Sequence, residues 1–143
     1  MSASPSAILE RGARLLIGPI LVVSLYLLFA GHNSPGGGFV GGLTAGLALS
    51  LGYAAEGPAA VRRITRLAPT TLLGASLAVA GLTGAAGWVL GNGFLDAGAT
   101  TWDLPLLGEV KATSALVFDI GVFAVVAGMV GLTLEGLSGR EEA

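Results

Sequence analysis

Four long runs of apolar residues dominate the chain and are separated by short segments that hold most of the charges. The runs cover about residues 15–31, 39–55, 70–91 and 113–134. Each has the roughly 17 residues or more that a helix needs to cross the hydrocarbon core of a bilayer. None alternates with the period of two that marks a strand, and helices satisfy their backbone polar groups within hydrocarbon. The pattern predicts an all-α integral membrane protein, with four transmembrane helices in a single transmembrane domain over residues 1–143.

The composition also favours lipid as the surrounding solvent. Hydrophobic residues make up 53% of the chain, charged residues only 11%, and the mean hydropathy is +0.82. Soluble domains carry roughly a quarter of their residues as charges. The first run does not fit a cleaved secretory signal, because Leu28 stands where a cleavage site after Ala30 requires a small residue. We therefore expect a multi-pass protein of the cell membrane.

The distribution of positive charge predicts the orientation of the chain. Cytoplasmic loops retain Lys and Arg, whereas translocated loops carry few of them. The arginines precede the first run, follow the second and follow the fourth, while the lysine lies between the third and fourth: Arg11, Arg14, Arg62, Arg63, Arg66 and Arg140 against Lys111. Both the N terminus and the C terminus are therefore predicted to be cytoplasmic.

The composition argues against several classes of function. The net charge is −2, and no Lys/Arg cluster coincides with aromatic residues, so we expect no nucleic-acid partner. The absence of cysteine excludes thiolate metal sites, and the single histidine, His32, leaves no credible Ser–His–acid constellation. We expect neither enzymatic catalysis nor a cofactor.

Asp119 is the only charged residue within the four predicted spans. A carboxylate at the centre of a membrane helix costs about 2.5 kcal/mol or more, and such residues commonly mark ion or proton pathways. Two interpretations remain: Asp119 hydrogen-bonds a neighbouring helix in a structural role, or it binds a proton or a cation. Hard cations prefer oxygen ligands, so a Na⁺ site at Asp119 is one form of the second interpretation.

The segment that joins the first two runs is rich in glycine and contains the histidine. Its sequence is Gly31-His32-Asn33-Ser34-Pro35-Gly36-Gly37-Gly38-Phe39. Glycine permits positive φ and close approach of backbones, so one interpretation is a tight turn between short helices. The other is a functional loop, since His32 and Asn33 would place a titratable ring and an amide beside exposed backbone.

Small residues recur at helical spacing in the second and third runs. Membrane helices associate through such residues because they let backbones approach closely. The stripes either hold the four helices together or bind other membrane subunits. Their members are Gly38, Gly42, Gly46 and Ser50 in the second run, and Ser76, Ala80 and Gly84 in the third.

The glycine-rich segment, with Val40-Gly41-Gly42-Leu43 after it, resembles the MnhB/MrpB subunit of Mrp-type multisubunit Na⁺/H⁺ antiporters. The likeness continues in Arg14-Leu15-Leu16 and Pro19 and in Phe118-Asp119-Ile120-Gly121-Val122-Phe123. With the four-span plan and the length, it covers essentially the whole chain. The resemblance implies the B-type subunit of a cation/proton antiporter, with Na⁺ and H⁺ as the transported ions and the other Mrp antiporter subunits and the lipid bilayer as partners.

Carried over by position, the resemblance implies a role in the ion path or in assembly for His32, Asn33, Pro35, Gly36, Gly37, Gly38, Phe39 and Asp119. Two departures weaken the match in the last run. The family usually has Tyr where this chain has Phe123, and often has Pro where it has Ser114 or Ala115. The resemblance therefore does not carry a tyrosine hydroxyl at Phe123 or a proline kink at Ser114 or Ala115 over to this chain.

Two other functions fit a chain with four spans. A self-contained small multidrug exporter has the same number of spans but places an essential Glu in its first helix, and residues 15–30 contain no acid. A purely structural membrane scaffold would need no side chain near the ion. Removing the Asp119 carboxylate separates the scaffold from the ion-path subunit, because a scaffold should keep transport if assembly is intact.

Overall fold

The structure is a computed structural model that describes residues 7–31, 36–89, 99–104 and 108–141. Side chains are described for residues 7–31, 36–86 and 115–139. Within these ranges the chain forms five helices and one pair of strands. In chain order they are α1 (Ala7–Ala30), α2 (Gly38–Glu56), α3 (Pro58–Thr65), α4 (Pro69–Val89), β1 (Ala99–Leu104), β2 (Gly108–Thr113) and α5 (Ser114–Glu141).

Four helices, α1, α2, α4 and α5, are long and apolar enough to cross a membrane. This confirms the prediction of four long apolar helices in the described residues. The helices at the two ends of the chain are longer than the apolar runs that predicted them. α1 begins at Ala7 rather than near Leu15, and α5 continues to Glu141 rather than ending near Leu134. An apolar run marks the part of a helix suited to hydrocarbon, whereas the helix itself continues into charged turns.

The segment between the third and fourth apolar runs, which the positive charges predict to lie outside the cytoplasm, contains a β-hairpin, so the all-α prediction is too narrow outside the membrane helices. β1 pairs antiparallel with β2, in a register that runs from Ala99 opposite Thr113 to Leu104 opposite Gly108. The sequences Ala-Thr-Thr-Trp-Asp-Leu and Gly-Glu-Val-Lys-Ala-Thr are rich in the β-branched and aromatic residues that strands favour. That signal was present in the sequence but lay outside the apolar runs.

The arginine-rich segment after α2 forms α3, a short helix that the sequence analysis did not predict. Pro58 occupies its first turn, where a missing N–H leaves no helical hydrogen bond unmade. Ala60 and Val61 are buried, while Arg62 is exposed. α3 therefore packs an apolar face on the bundle and directs charge outward. It ends at Arg66, which caps it in the left-handed conformation with φ 57°.

The membrane helices pack in a row in the order α1, α2, α5 and α4. α2 and α5 run in the same direction, because Gly38 lies against Asp119 at one end and Gly46 lies against Val130 further along both helices. α4 runs antiparallel to α5. This order leaves α1 and α4 at the two ends of the row, with α2 and α5 between them.

The small-residue stripes of α2 and α4 pack against another helix of the same chain. A Cβ built on Gly42 would lie 2.8 Å from Cβ of Val126, and one built on Gly46 would lie 2.8 Å from Cγ2 of Val130. In α4, Ala80 is 8% exposed and contacts the backbone at Gly121 of α5. Of the two interpretations of these stripes, the described contacts support packing between helices of this chain.

Ion pairs join four helices at one end of the bundle, which we call the arginine end and define by Arg14, Arg62 and Arg63. The carboxylate of Glu56 accepts from Nε of Arg14 at 3.0 Å and from Nη2 of Arg63 at 2.5 Å. Nε of Arg62 donates to Oε1 of Glu135 at 2.9 Å. The arginine side chains are largely exposed, and the two glutamates are partly exposed. The charged turns that extend past the apolar runs therefore meet in one layer.

Candidate functional site

Asp119 lies in the second turn of α5, at the point where α2 begins. A Cβ built on Gly37 would lie 3.7 Å from Oδ2 and 3.9 Å from Oδ1 of the Asp119 carboxylate. A Cβ built on Gly38 would collide with the carbonyl oxygen of Asp119. The side chain is half-buried. The carboxylate is therefore held at the junction of two membrane helices.

The N-terminus of α2 has no side-chain cap, although its first backbone amides need acceptors. Gly37 precedes the helix with φ 92°, and no side chain hydrogen-bonds to the amides of the first turn. The N–H of Gly37 donates to the carbonyl of Leu27 at 3.0 Å, and the N–H of Gly41 donates to the carbonyl of Gly37 at 3.0 Å. Unpaired amides give a helix N-terminus a partial positive charge. The Asp119 carboxylate therefore lies beside a helix end that carries partial positive charge.

Three backbone segments converge at this junction, and only glycine fits where they meet. A Cβ on Gly36 would lie 2.7 Å from the carbonyl oxygen of Leu27, and one on Gly31 would collide with the backbone of Gly37. The positive φ of Gly37 also favours a residue without a side chain. The glycines therefore form a tight turn, and that turn sets α2 directly against Asp119. The tight turn is one of the two sequence interpretations of the segment, and the functional loop with His32 and Asn33 stays a prediction.

The structure brings together four of the eight residues singled out from the sequence: Gly36, Gly37, Gly38 and Asp119. Phe39 is 58% exposed and lies on the outer face of α2. His32, Asn33 and Pro35 lie outside the described residues, and their proposed roles stay predictions. The spacing of the sequence alone did not indicate that the glycine segment and Asp119 are neighbours.

The chemistry of this site rests on one carboxylate beside backbone amides and carbonyls. In the described ranges, no group of three His, Cys, Asp or Glu side chains is arranged to hold a metal ion. No hydrogen bond or ion pair joins the Asp119 carboxylate to another described side chain. Such a carboxylate can take up a proton or contribute oxygen ligands to one cation, and the two would compete.

Phe123 is a site neighbour that the sequence analysis treated only as a departure from a motif. Its Cδ2 atom would lie 3.1 Å from a Cβ on Gly41, and its backbone carbonyl 2.9 Å from one on Gly42. Phe123 follows Asp119 by one helical turn, so both residues lie on the face of α5 that meets α2. The spacing of four residues between Asp119 and Phe123 was the feature of the sequence that could have indicated this. The ring packs α5 against the glycine face of α2.

Comparison with known proteins identifies the family. A family model described as a domain related to the MnhB subunit of Na⁺/H⁺ antiporter matches residues 8–132. The chain belongs to the MnhB family. It is 37% identical to the B subunit of the Na⁺/H⁺ antiporter of Alkalihalophilus pseudofirmus over 88% of each chain. It is 38% identical to the corresponding B subunit of Bacillus subtilis over 94% of each chain. The family predicted from the motifs is confirmed.

Two other relatives of this MnhB-family chain are much longer than it is. It is 34% identical to a probable K⁺/H⁺ antiporter protein of Rhizobium meliloti that is named as a combined A/B subunit, over 82% of this chain and 12% of the relative. A solved structure of the Mrp complex from Dietzia sp. DQ12-45-1b matches with a TM-score of 0.71 and 31% identity, over 91% of this chain and 14% of the solved chain. MnhB-type segments therefore occur both as separate chains and as parts of longer ones.

Proposed function

We propose that this chain is the B-type subunit of a multisubunit cation/proton antiporter and acts as a multi-pass subunit in the cell membrane. The observation that carries the proposal is the 38% identity to the B subunit of a Na⁺/H⁺ antiporter over 94% of both chains. The four apolar helices and the likeness to a chain of the Mrp complex support it. Relatives are named for Na⁺ and for K⁺, so the proposed cargo is a monovalent cation exchanged for a proton, with Na⁺ as the first candidate.

The proposed partners are the other subunits of such an antiporter, and first among them an A-type subunit. The support is the relative named as a combined A/B subunit, in which the segment like this chain is 12% of a single polypeptide. Two segments that are covalently joined in one protein have a reason to be neighbours when they are separate chains. The exposed apolar surfaces of the four helices would then be shared between lipid and these subunits.

Asp119 and the glycine junction are the proposed contact with the transported ion. The carboxylate is half-buried, lies beside an uncapped helix N-terminus and has no described side-chain partner. Isolated acids in a membrane commonly mark ion pathways. His32, Asn33 and Pro35 are adjacent in sequence to the junction, and His32 would add a group that titrates near neutral pH. The alternative is that all eight residues serve assembly alone.

The proposed orientation places the arginine end in the cytoplasm, together with both termini. Arg14, Arg62 and Arg63 lie in one layer there, and positive charge favours the cytoplasmic side. Asp119 precedes Glu135 by sixteen residues on α5, which at 1.5 Å per residue is about 24 Å from that layer. Asp119 would therefore lie in the outer half of the membrane.

We expect Gly139→Cys to be labelled from the cytoplasmic side only. The chain contains no native cysteine, and a Cβ at Gly139 meets nothing within 4 Å, so the substitution should leave the fold intact. A membrane-impermeant maleimide should label this variant in inverted vesicles and not in intact cells. Asp96→Cys, between the third and fourth runs on the side predicted to be external, is the matched control with the opposite pattern. Labelling of Gly139→Cys in intact cells would indicate the opposite orientation and contradict the proposal.

Purification from native membranes tests the assignment to a multisubunit antiporter. An affinity-tagged chain extracted in mild detergent should bring larger antiporter subunits with it. Inverted vesicles from cells lacking the chain should lose the collapse of the proton gradient on addition of Na⁺ or K⁺, and expression of the chain should restore it. A chain that purifies alone and still transports after reconstitution would instead support a self-contained exporter.

A further inference from the structure

An apolar cavity of about 280 Å³ opens between α1 and α4, the two helices at the ends of the row. Leucine, isoleucine, alanine and phenylalanine side chains form most of its wall, with Leu25 on α1, Leu72 on α4 and Phe123 on α5. Two hydroxyls also line it, and both are used within the chain. Ser24 Oγ donates to the carbonyl of Leu21 at 2.8 Å, and Thr65 Oγ1 donates to the carbonyl of Val61 at 3.0 Å. The wall therefore suits an apolar occupant.

The cavity extends from the arginine end into the middle of the bundle. Its outermost lining residues include Thr65, the last residue of α3, and Leu72 in the first turn of α4. Its innermost lining residue on α5 is Phe123, which precedes Glu135 by twelve residues and so lies about 18 Å above the ion-pair layer. One end is at headgroup level and the other is at the depth of acyl chains.

Arg66 directly follows Thr65, a lining residue of the cavity at the arginine end. It has φ 57°, a left-handed conformation that costs a residue with a side chain roughly 1–2 kcal/mol and usually selects glycine or asparagine. The N–H of Arg66 donates to the carbonyl of Arg62 at 2.9 Å, which completes the cap of α3. An arginine at a position suited to glycine indicates that its side chain has a function that offsets the cost of this conformation.

The charge of Arg66 is not neutralised within the described part of the chain. Arg14, Arg62 and Arg63 at the same end each form an ion pair with a glutamate. The exposed Arg66 guanidinium forms no such pair with a described residue. An exposed cation without an ion pair in the described residues therefore follows directly after a residue that lines the apolar cavity.

We propose that the cavity binds an anionic phospholipid, with one acyl chain between α1 and α4 and the phosphate on the Arg66 guanidinium. Basic pockets between membrane helices bind anionic headgroups. The wall of the cavity is almost entirely apolar, which suits an acyl chain. The phosphate supplies the negative charge that the described chain lacks beside Arg66.

Lipid retention by the assembled complex tests this proposal. The complex is reconstituted in nanodiscs of phosphatidylcholine with phosphatidylglycerol, released into detergent, and its retained lipids are counted by native mass spectrometry. Wild type should retain phosphatidylglycerol in preference to phosphatidylcholine. Arg66→Gln should reduce that retention about fivefold, the equivalent of roughly 1 kcal/mol for one basic group at the membrane surface. Arg11→Gln, a change at an exposed arginine that does not line the cavity, should leave it unchanged.

Two further variants separate loss of binding from loss of folding. Arg66→Gly suits the left-handed conformation better than arginine does, so it should keep or raise thermal stability while losing phosphatidylglycerol to the same extent as Arg66→Gln. Ala124→Leu fills the cavity from α5 and should lower retention with Arg66 intact. Equal retention of phosphatidylglycerol in wild type and both Arg66 variants would overturn the proposal. So would a helix of another subunit cross-linked into the cavity from Leu25→Cys, or retention of phosphatidylcholine equal to that of phosphatidylglycerol.

Discussion

Asp119→Asn is expected to reduce cation/proton exchange by the assembled antiporter at least about tenfold while leaving the assembly intact. Asparagine has nearly the same shape, so the contact of α5 with Gly38 is preserved, but it can neither release a proton nor offer a negative charge to a cation. A charged partner contributes roughly 1.5–3 kcal/mol to a hydrogen-bonded contact, and each 1.36 kcal/mol corresponds to a factor of ten in rate. Exchange is measured in inverted vesicles as the collapse of a proton gradient on addition of Na⁺.

The matched control for this change is Glu135→Gln on the same helix. Glu135 pairs with the exposed Arg62 at the arginine end, far from the glycine junction, so its loss should alter exchange little. Subunit content is measured in the same sample for both variants. Full exchange in Asp119→Asn, with normal subunit content, would remove Asp119 from the ion path and favour the scaffold interpretation. Asp119→Glu adds a direct test of position, since it keeps the charge but moves it.

The membrane plan could be predicted from the sequence because hydrocarbon imposes a strong and simple rule. Four apolar runs of sufficient length predicted four helices, and the described part of the chain has them. The ends of α1 and α5 could not be read in the same way, since Arg14 and Glu135 lie beyond the apolar runs but remain helical. Charged residues can continue a helix beyond its apolar run, so hydropathy alone did not locate the ends of these two helices.

The candidate site could be predicted in its parts but not in its arrangement. The cost of burying a charge singled out Asp119, and the glycine string singled out Gly36, Gly37 and Gly38. That the two meet depends on α2 packing beside α5 in the same direction, a property of the tertiary structure that no local pattern encodes. The left-handed conformation of Arg66 could not be predicted either, because that conformation usually selects glycine or asparagine.

Gly38→Ala is expected to impair both the stability of the assembly and its transport activity, in contrast to Asp119→Asn. A single methyl group at Gly38 would collide with the backbone carbonyl of Asp119. A backbone atom in a helix cannot rotate away as a side chain does, so α2 and α5 must separate. Overpacking of this kind costs about 1–3 kcal/mol, and the carboxylate moves with the helix that carries it.

Gly74→Ala is the matched control, because it makes the same change on α4 where a Cβ would meet nothing within 4 Å. Alanine favours helix over glycine by roughly 1 kcal/mol, so this variant should be as stable as wild type or more so. Thermal unfolding of the purified complex and exchange in vesicles are measured for both. Equal melting temperatures and equal exchange in the two variants would contradict the close contact of Gly38 with Asp119. A loss confined to Gly38→Ala would tie the position of the carboxylate to the glycine at the start of α2, because the two helices touch there without intervening side chains.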